Sequence, residues 1–284
     1  MLKSGFALVD KTEGITSHDV VARVRRALGM KRVGHAGTLD PFATGLLIVL
    51  VGRATRLCRF MTGLRKQYAG TVRLGQATDT DDSTGALIRE DESWQVIEDD
   101  VLERSVGQLI GRYPQEPPAY SARKVRGQRA YRLARKGEVV ELKPREVEVS
   151  RFEITAREGR DLSFLCDVSG GTYIRAMARD LGRALGCGAH LHALRRLSVG
   201  GFKVEDAVSA DQISEGMVID TPARAIAHLP RMELDTGAVE LVRHGRPIHS
   251  EGEEGTVALI HGDELIAVAE RRHGSLKVRV VLEG

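Results

Sequence analysis

Apolar residues near the start of the chain recur with the periods of a short strand and then of an amphipathic helix. Residues 5–10 form an apolar run that predicts a strand. Residues 16–29 predict a helix, because valines recur on one face at the helical period. Thr16 and Asp19 have the spacing of a capping box, and Gly29 can end the helix. The chain therefore opens with a strand followed by a helix that has one apolar face.

Two further strands are predicted after this helix. Residues 46–51, LLIVLV, are rich in β-branched residues and are closed by Gly52, which indicates a buried strand. Residues 66–74 alternate in polarity and place Tyr68 on the apolar face. A tyrosine on an apolar face is either a core residue or a functional one, and the spacing alone leaves both interpretations open.

The middle of the chain alternates helices with strands. Residues 98–111 predict an amphipathic helix, and residues 146–155 and 161–169 predict two strands. The dipeptide Gly170-Gly171 ends the second of these strands. Thr172 is then expected to cap another helix, whose apolar face carries Ile174, Met177, Ala178, Leu181 and Leu185. This mixture of elements indicates an α+β fold.

The end of the chain predicts a second, smaller domain. Pro222 and Pro230 flank a weakly patterned segment, which suggests a boundary there. Short β-type runs follow and predict a small β-barrel; they are residues 256–260, 264–269 and 276–282. We therefore expect a domain over 1–228 and another over 229–284. Residues 231–284 carry seven Lys or Arg against ten Asp or Glu, so this second domain is acidic.

The loop of residues 34–45, GHAGTLDPFATG, is the strongest candidate for a functional site. It holds a carboxylate, Asp40, and an imidazole, His35, among three glycines. Pro41 disfavours the α conformation at Asp40, so the carboxylate is expected on a rigid loop next to the buried strand. The alternative interpretation is that Asp40 and Pro41 merely form a turn.

A row of arginines marks the helix that follows Gly171. Arg175, Arg179 and Arg183 lie one turn apart and form one basic stripe. Arg175 is either one member of a solvated stripe or, at the first turn of a helix leaving a glycine bend, a site residue. We favour the second interpretation.

The segment around residues 119–137 is basic and contains no acid. Tyr120 and Tyr131 lie among its seven basic residues, which are Arg123, Lys124, Arg126, Arg129, Arg132, Arg135 and Lys136. Bases beside aromatic rings suit a phosphate backbone with unstacked nucleobases. A solvated basic helix is the alternative, although typical surfaces mix charges of both signs. The whole chain has a formal net charge of +3, so a nucleic-acid partner is permitted but not required.

The remaining polar clusters do not predict a cofactor or a metal. Asp79, Asp81 and Asp82 are better explained as a polar turn than as a Mg²⁺ site, because the segment lacks the pattern of a calcium loop. His190 and His192 have no convincing further ligands, so no metal is assigned to them. The chain has no P-loop, Rossmann fingerprint or zinc pattern. Its three cysteines form no paired framework and there is no long apolar segment, so a protein of the reducing cytoplasm with no membrane span is expected.

Five ordered motifs resemble the bacterial tRNA pseudouridine synthase B family. They cover most of residues 5–200 and are DKTEGITSHDVV at 10–21, GHAGTLDPFATGLLIVLVGRATR at 34–56, KQYAGTVRLGQATDTDD at 66–82, GTYIRAMARDLG at 171–182 and GCGAHLHALRRL at 186–197. Thr12 departs from the pattern, because the family usually has proline after the lysine. The resemblance implies a pseudouridine synthase core with a large mixed or antiparallel sheet flanked by helices, followed by a small PUA-like β-barrel.

The resemblance also implies the function and the roles of individual residues. Such an enzyme isomerises uridine to pseudouridine at position 55 in the tRNA T loop, by base flipping and without cofactor or metal. Asp40 would be the nucleophile, Tyr68 would stack on the flipped uracil at the point of proton removal, and Arg175 would pair with Asp40. Substrate-binding roles fall on His35, Tyr173, Leu194, Lys11, Arg129 and Arg132. The last two lie in an inserted arm, about 113–145, that clasps the tRNA; a monomer is expected.

Other functional classes remain open on the sequence alone. A non-catalytic RNA-binding protein or chaperone would use the same surface, but it has no need of Asp40, Tyr68 and Arg175 together. A synthase acting on ribosomal RNA or through a guide RNA is the alternative within the enzyme class. A metal-dependent phosphoesterase built on Asp79, Asp81 and Asp82 is the weakest alternative, and EDTA-insensitive activity would reject it.

Overall fold

The computed structural model describes residues 4–120 and 142–282, together with the backbone of residues 124–125 and 128–129. The helices are α1 (Ser17–Ala27), α2 (Cys58–Met61), α3 (Asp99–Gly107), α4 (Ile174–Ala184), α5 (Pro222–Ala225) and α6 (Thr236–Arg243). The strands are β1 (Ser4–Lys11), β2 (Val33–His35), β3 (Thr44–Gly52), β4 (Lys66–Leu74), β5 (Gln76–Thr78), β6 (Leu87–Glu90), β7 (Gly111–Gln115), β8 (Lys124–Val125), β9 (Gln128–Arg129), β10 (Arg145–Glu158), β11 (Asp161–Val168), β12 (Ala189–Val199), β13 (Phe202–Lys203), β14 (Val208–Ser209), β15 (Arg231–Glu233), β16 (Ile248–His249), β17 (Gly255–His261), β18 (Glu264–Arg272) and β19 (Ser275–Val281). Over the described residues, no helix combines the length and the apolarity that crossing a bilayer demands.

The chain divides into two compact units. The first is formed by Met1–Pro41, Leu46–Thr62 and Gly200–Gly284, and the second by Phe42–Gly45 and Gly63–Val199. The chain therefore passes from one unit to the other directly after Pro41 and returns after Gly45.

Helix α1 and strand β3 build the core of the first unit, as their patterns predict. The capping box is present: Thr16 Oγ1 accepts the Asp19 N–H at 3.1 Å, and Asp19 Oδ2 accepts the Thr16 N–H at 2.8 Å. The valines of α1 pack against the apolar side chains of β3, and strand β1 contributes to the same cluster. Each fully buried aliphatic side chain of this kind contributes about 1.5–3 kcal/mol of transfer free energy. The predicted helix and the predicted buried strand are both confirmed.

A separate five-stranded sheet lies near the end of the chain and belongs to the same first unit. Its order is β15-β17-β18-β19-β16, and it curls into a half-barrel whose buried face packs against α6. The three β-type runs predicted from the sequence are β17, β18 and β19, so that prediction is confirmed. The carbonyls near the end of β19 accept hydrogen bonds from Arg53, Arg56 and Arg59.

The second unit is built on strands in the order β12-β4-β11-β10-β7, each antiparallel to its neighbour. Thr44 and Gly45, the first residues of β3, pair in parallel with Arg195 and Arg196 of β12, so the sheet is mixed. Helix α4 packs against β12. The predicted α+β fold with a large mixed sheet flanked by helices is confirmed.

Candidate active site

The backbone on both sides of Asp40 is fixed by buried side chains of the first unit. Before Asp40, the Ser17 hydroxyl accepts the Leu39 N–H at 2.9 Å and donates to the Leu39 carbonyl at 3.0 Å. After it, the Pro41 carbonyl accepts the Gly14 N–H at 2.9 Å and a hydrogen bond from Lys11 Nζ at 3.2 Å. Asp40 is therefore held on a rigid loop, as the glycine and proline pattern predicts.

Lys11 has the contacts of a supporting residue. Its side chain is fully buried, and besides Pro41 its ammonium donates to the carbonyls of Thr12 at 3.0 Å and Ile15 at 2.8 Å. His35 is the last residue of β2, and its carbonyl accepts a hydrogen bond from Cys58 Sγ at 3.4 Å. Both residues lie in the first unit with Asp40.

The second residue of strand β3 stands at a position that only glycine can occupy. Gly45 has a φ of 101°, and a Cβ built on it would lie 2.3 Å from the Arg196 carbonyl oxygen and 2.6 Å from the Arg196 nitrogen. The obstacle is backbone, which cannot move aside as a flexible side chain does. Gly45 therefore lets β3 approach β12 closely, only a few residues after Asp40 in the sequence.

A strained positive φ alone costs about 1–3 kcal/mol. We expect Gly45→Ala to lower the free energy of unfolding by more than this, because the new Cβ also clashes with backbone atoms of Arg196. Denaturant unfolding measures this change. Gly107→Ala is the matched control, because it ends α3 with nothing within 4 Å of a built Cβ and without a positive φ. An alanine variant at Gly45 as stable as that control would contradict the account of this position.

Tyr68 lies on β4 between two neighbouring strands of the second unit. It pairs with Cys166 on β11 and with Arg196 on β12, and 6% of it is exposed. Leu194 pairs with Gly70, so Tyr68 and Leu194 are diagonal neighbours on one face of the sheet. Burial to this degree is compatible with a core residue and with the wall of a pocket, and the functional role of Tyr68 stays a prediction.

The surroundings of Tyr68 are electropositive. Lys66 and Arg196 are both buried, and Arg196 is paired with Tyr68 across the strands. Burial, with the charges of Arg196 and Arg145 nearby, lowers the pKa of Lys66 to about 8.

Arg175 is buried in the first turn of α4 and binds the turn that the sequence placed at 79–82. Its guanidinium donates to the carbonyl of Thr80 at 2.9 Å and to that of Tyr120 at 3.0 Å. It also forms an ion pair with Asp82 at 3.3 Å, in which the two side chains are 7% and 5% exposed. These contacts show that Arg175 is not a solvated member of the stripe, and its site role stays a prediction. The predicted pairing of Arg175 with Asp40 stays a prediction.

The acidic cluster supplies the counter-charges of the arginine stripe, a role that the sequence did not reveal. Asp82 Oδ1 accepts from the hydroxyls of Thr80 at 2.7 Å and Thr84 at 2.6 Å, so its carboxylate is fully engaged. Asp81 forms an ion pair with Arg179 at 3.0 Å. Burial raises the pKa of the Asp81 carboxyl above its ordinary value, against the attraction of Arg179.

Two details of the helix α4 differ from expectation. Its N-cap residue is Tyr173, not Thr172, whose hydroxyl donates back to the Ser169 carbonyl at 3.0 Å. The stripe is graded from buried to solvated: side-chain exposure is 14% at Arg179 and 62% at Arg183. Only Arg183 is a solvated member of the stripe.

Most of the predicted arm lies outside the described residues. Only the backbone of Arg129 is described, in an antiparallel pairing of β9 with β8, and Arg132 lies outside the described residues. His190 is buried, with its Nδ1 at 2.9 Å from the Gln76 carbonyl, and burial lowers its pKa. Within the ranges that the structure describes, no group of three or more His, Cys, Asp or Glu is arranged to hold a metal.

Comparison with known proteins decides the family. The profile of the TruB family pseudouridylate synthase N-terminal domain matches residues 25–174, and that of the tRNA pseudouridylate synthase B C-terminal domain matches residues 175–231. The chain belongs to the TruB family of pseudouridylate synthases. The family resemblance of the five sequence motifs is thereby confirmed.

Relatives within the TruB family match over their full length. The tRNA pseudouridine synthase B of Thermobifida fusca is 46% identical, with 100% of both chains covered. That of Mycobacteroides abscessus is 43% identical, over 99% of this chain and 96% of the relative.

Solved structures with the same fold extend the comparison. An H/ACA ribonucleoprotein bound to a substrate RNA containing 2′-deoxyuridine matches with a TM-score of 0.74 and 25% identity, covering 99% of this chain and 85% of the other. An archaeal box H/ACA Nop10–Cbf5 complex matches with the same TM-score at 26% identity, covering 99% and 87%. The sequence identity to the tRNA pseudouridine synthase B relatives is thus much higher than the identity to these H/ACA complexes.

Proposed function

We propose that this protein isomerises uridine to pseudouridine at position 55 in the T loop of tRNA. The observation that carries the proposal is the position of Asp40 on a loop whose backbone is fixed on both sides by Ser17 and Lys11. A rigid loop is what a nucleophile needs, because its reacting atom must be held in one geometry. Full-length relatives named tRNA pseudouridine synthase B support tRNA as the substrate.

The reaction needs neither an oxidant nor an acceptor. The N1–C1′ bond of the uridine breaks, the C5–C1′ bond forms, a proton leaves C5 and N1 takes up a proton. A carboxylate can act covalently in such chemistry, as carboxylates do in glycoside hydrolysis. We assign that role to Asp40, with Arg175 favouring its charged form, and we assign no metal or cofactor.

Base flipping gives the other predicted residues their roles. The target nucleotide must leave its stack, which costs a few kcal/mol. Tyr68 would stack on the flipped uracil, Tyr173 and Leu194 would line the base pocket, and His35 would hold the flipped nucleotide. Lys11 would support the loop rather than touch RNA, because its ammonium already binds three carbonyls.

The arm and the C-terminal domain complete the proposal. Residues of the inserted arm, about 113–145, would clasp the tRNA through Arg129 and Arg132. We assign residues 1–228 to the catalytic domain and residues 229–284 to a PUA-like RNA-binding domain. The three cysteines, Cys58, Cys166 and Cys187, form no disulfide, which fits a reducing cytoplasm, and we assign the protein as a monomer.

The direct test is release of tritium from tRNA that carries 5-tritiated uridine. The proposed reaction removes the C5 hydrogen, so catalytic amounts of protein should release tritium to water, and EDTA should have no effect. A chaperone would bind the same tRNA without release, and a guide-RNA-directed synthase would need an added RNA. The sequence likeness to the tRNA-modifying relatives favours the stand-alone enzyme.

We expect Tyr68→Leu to keep the tRNA affinity and to lose catalysis by at least about 100-fold, because stacking and proton removal act after docking. Filter binding and single-turnover assays separate the two effects. Phe152→Leu is a matched control, since Phe152 is a buried aromatic residue on β10 of the same unit. Normal turnover by Tyr68→Leu would make the tyrosine a core residue only.

Replacing Arg129 and Arg132 by Ala should weaken tRNA binding and flatten its salt dependence. Each lost phosphate contact should reduce the slope of log K against log salt by about one. Affinities measured over a series of salt concentrations give this slope. An unchanged slope would mean that these arginines face solvent in the complex.

A further inference from the structure

Gln115 makes a paired set of hydrogen bonds with the backbone of Tyr173. Its side chain is buried, with 1% of the residue exposed. Oε1 accepts the Tyr173 N–H at 2.8 Å, while Nε2 donates to the Tyr173 carbonyl at 3.1 Å. A primary amide has one acceptor and one donor side, so it can bind the N–H and the C=O of one residue as a neighbouring strand would. The reversed amide would place like groups against each other, so this orientation is fixed.

These bonds act on the first residue of the helix that carries Arg175. Tyr173 is the N-cap of α4, and its own side chain makes no capping hydrogen bond. Its carbonyl also accepts the Met177 N–H at 3.2 Å, the first hydrogen bond of the helix. Gln115 therefore holds both backbone groups at the start of α4, two residues before Arg175.

Gln115 is itself anchored in the sheet. It is the last residue of β7 and pairs with Arg145 on β10. Its Nε2 also donates to Tyr113 Oη at 3.4 Å. The start of α4 is thus tied to the edge of the sheet by one side chain, and the sheet sets the position of the helix.

The backbone of the residues that follow Gln115 also contacts α4. The Glu116 carbonyl accepts from Arg179 Nη2 at 2.9 Å, and the Tyr120 carbonyl accepts from Arg175 Nη2 at 3.0 Å. With its two bonds to Tyr173, Gln115 shares in fixing the register between the segment 115–120 and α4. A shift of that register would move the carbonyl that Arg175 binds.

We propose that Gln115 is a positioning residue for the isomerisation, because it places Tyr173 and Arg175 by fixing the start of α4. This inference rests on the proposed function. Loss of the amide leaves a buried N–H and weakens the hold on the carbonyl, and the helix start relaxes to satisfy them. A misplacement of about 1 Å at a reacting centre costs about 100-fold in rate.

The test compares Gln115→Met with wild type in single-turnover tritium release and in tRNA binding. Methionine keeps the length and volume of the side chain but removes all three hydrogen bonds of the amide, the two to Tyr173 and the one to Tyr113. We expect the rate constant to fall about 10–100-fold while the dissociation constant changes less than about threefold. Gln115→Asn keeps the amide on a shorter stem; it loses one bond, and we expect a smaller fall in rate. If Gln115→Met does not fold, Gln115→Asn tests the inference in its place.

Val147→Ala is the matched control for a general loss of stability. Val147 is buried on β10 and pairs with Tyr113, so its truncation destabilises the same sheet edge without touching Tyr173. We expect it to lower the melting temperature and to keep the wild-type rate constant. Equal rate constants for Gln115→Met and Val147→Ala would overturn the inference. A loss of affinity equal to the loss of rate would also overturn it, because Gln115 would then serve RNA binding.

Hydrogen exchange supplies a measurement that does not depend on activity. In Gln115→Met, the peptide covering residues 169–178 should exchange faster than in wild type, and in Val147→Ala it should not. Unchanged exchange in this peptide would overturn the inference. Absence of tritium release by the wild-type protein would instead refute the proposed function, and the exchange result would still decide whether Gln115 holds the start of α4.

Discussion

Asp40→Asn is expected to lower the rate of pseudouridine formation by at least about 10³-fold, the scale of loss seen when a catalytic nucleophile is removed. The amide has the shape of the carboxylate but cannot attack carbon. The loop should stay in place, because the bonds that fix it are made by the backbone of Leu39 and Pro41. Binding of tRNA should therefore stay within a few-fold of wild type, as measured by filter binding beside single-turnover tritium release.

Glu13→Gln is the matched control for this substitution. Glu13 is an exposed acid in the same first unit and lies on the turn beside Lys11. Its amide variant removes one negative charge near the loop and should keep the wild-type rate. A cleanly folded Asp40→Asn protein with measurable turnover would remove Asp40 from the chemistry.

Arg175→Lys is expected to lose much of the activity although it keeps the charge, and Arg175→Leu should lose more. The guanidinium binds two carbonyls and Asp82 at once, which requires its planar fork and not a single ammonium. Both side chains of the ion pair are almost fully buried, so removal of one partner costs roughly 3–5 kcal/mol. Thermal unfolding measures the loss of stability, and single-turnover rates measure the loss of activity.

The pH–rate profile distinguishes the expected effect of Arg175 on Asp40 from its ion pair with Asp82. If Arg175 favours the charged form of Asp40, its loss makes ionisation of Asp40 harder, so the acidic limb should move to higher pH in Arg175→Leu. Asp82→Asn should lower the rate and leave that limb in place, because it removes the support of Arg175 but not its charge. A limb that moves equally in both variants would contradict separate roles.

The exposed member of the arginine stripe provides the control. Arg183 is 62% exposed, and its charge contacts are long, at 3.6 Å to Asp180 and 3.9 Å to Glu116. Arg183→Leu should change the rate little. Arg179 is unsuitable, because it is buried against Asp81. Equal effects at Arg175 and Arg183 would mean that the stripe is general RNA-binding charge.

Elements with strong local signals were predicted well from the sequence. Strand β3 has a continuous apolar run, strand β4 alternates in polarity, and α1 has a capping box, so short-range chemistry alone determines each of them. The rigid setting of Asp40 was predicted for the same reason, because glycine and proline act on the backbone where they stand.

Features that depend on distant partners were not predicted. Strand β12 was missed because its alternation is interrupted: the register shifts near Leu191 and again near Arg196, as it pairs with β4. The acidic turn at 79–82 was correctly placed as a turn, but its partners on α4 lie more than ninety residues away. No sequence pattern pointed to Gln115, because its partner is the backbone of Tyr173, which lies 58 positions later in the chain.

The most direct test of the central claim uses tRNA in which uridine 55 alone carries tritium at C5. The account predicts release of one tritium per tRNA by the wild-type protein and none by Asp40→Asn, with pseudouridine mapped to position 55 in the product. Release from a tRNA labelled only at other uridines, or full release by the Asp40→Asn protein, would contradict it.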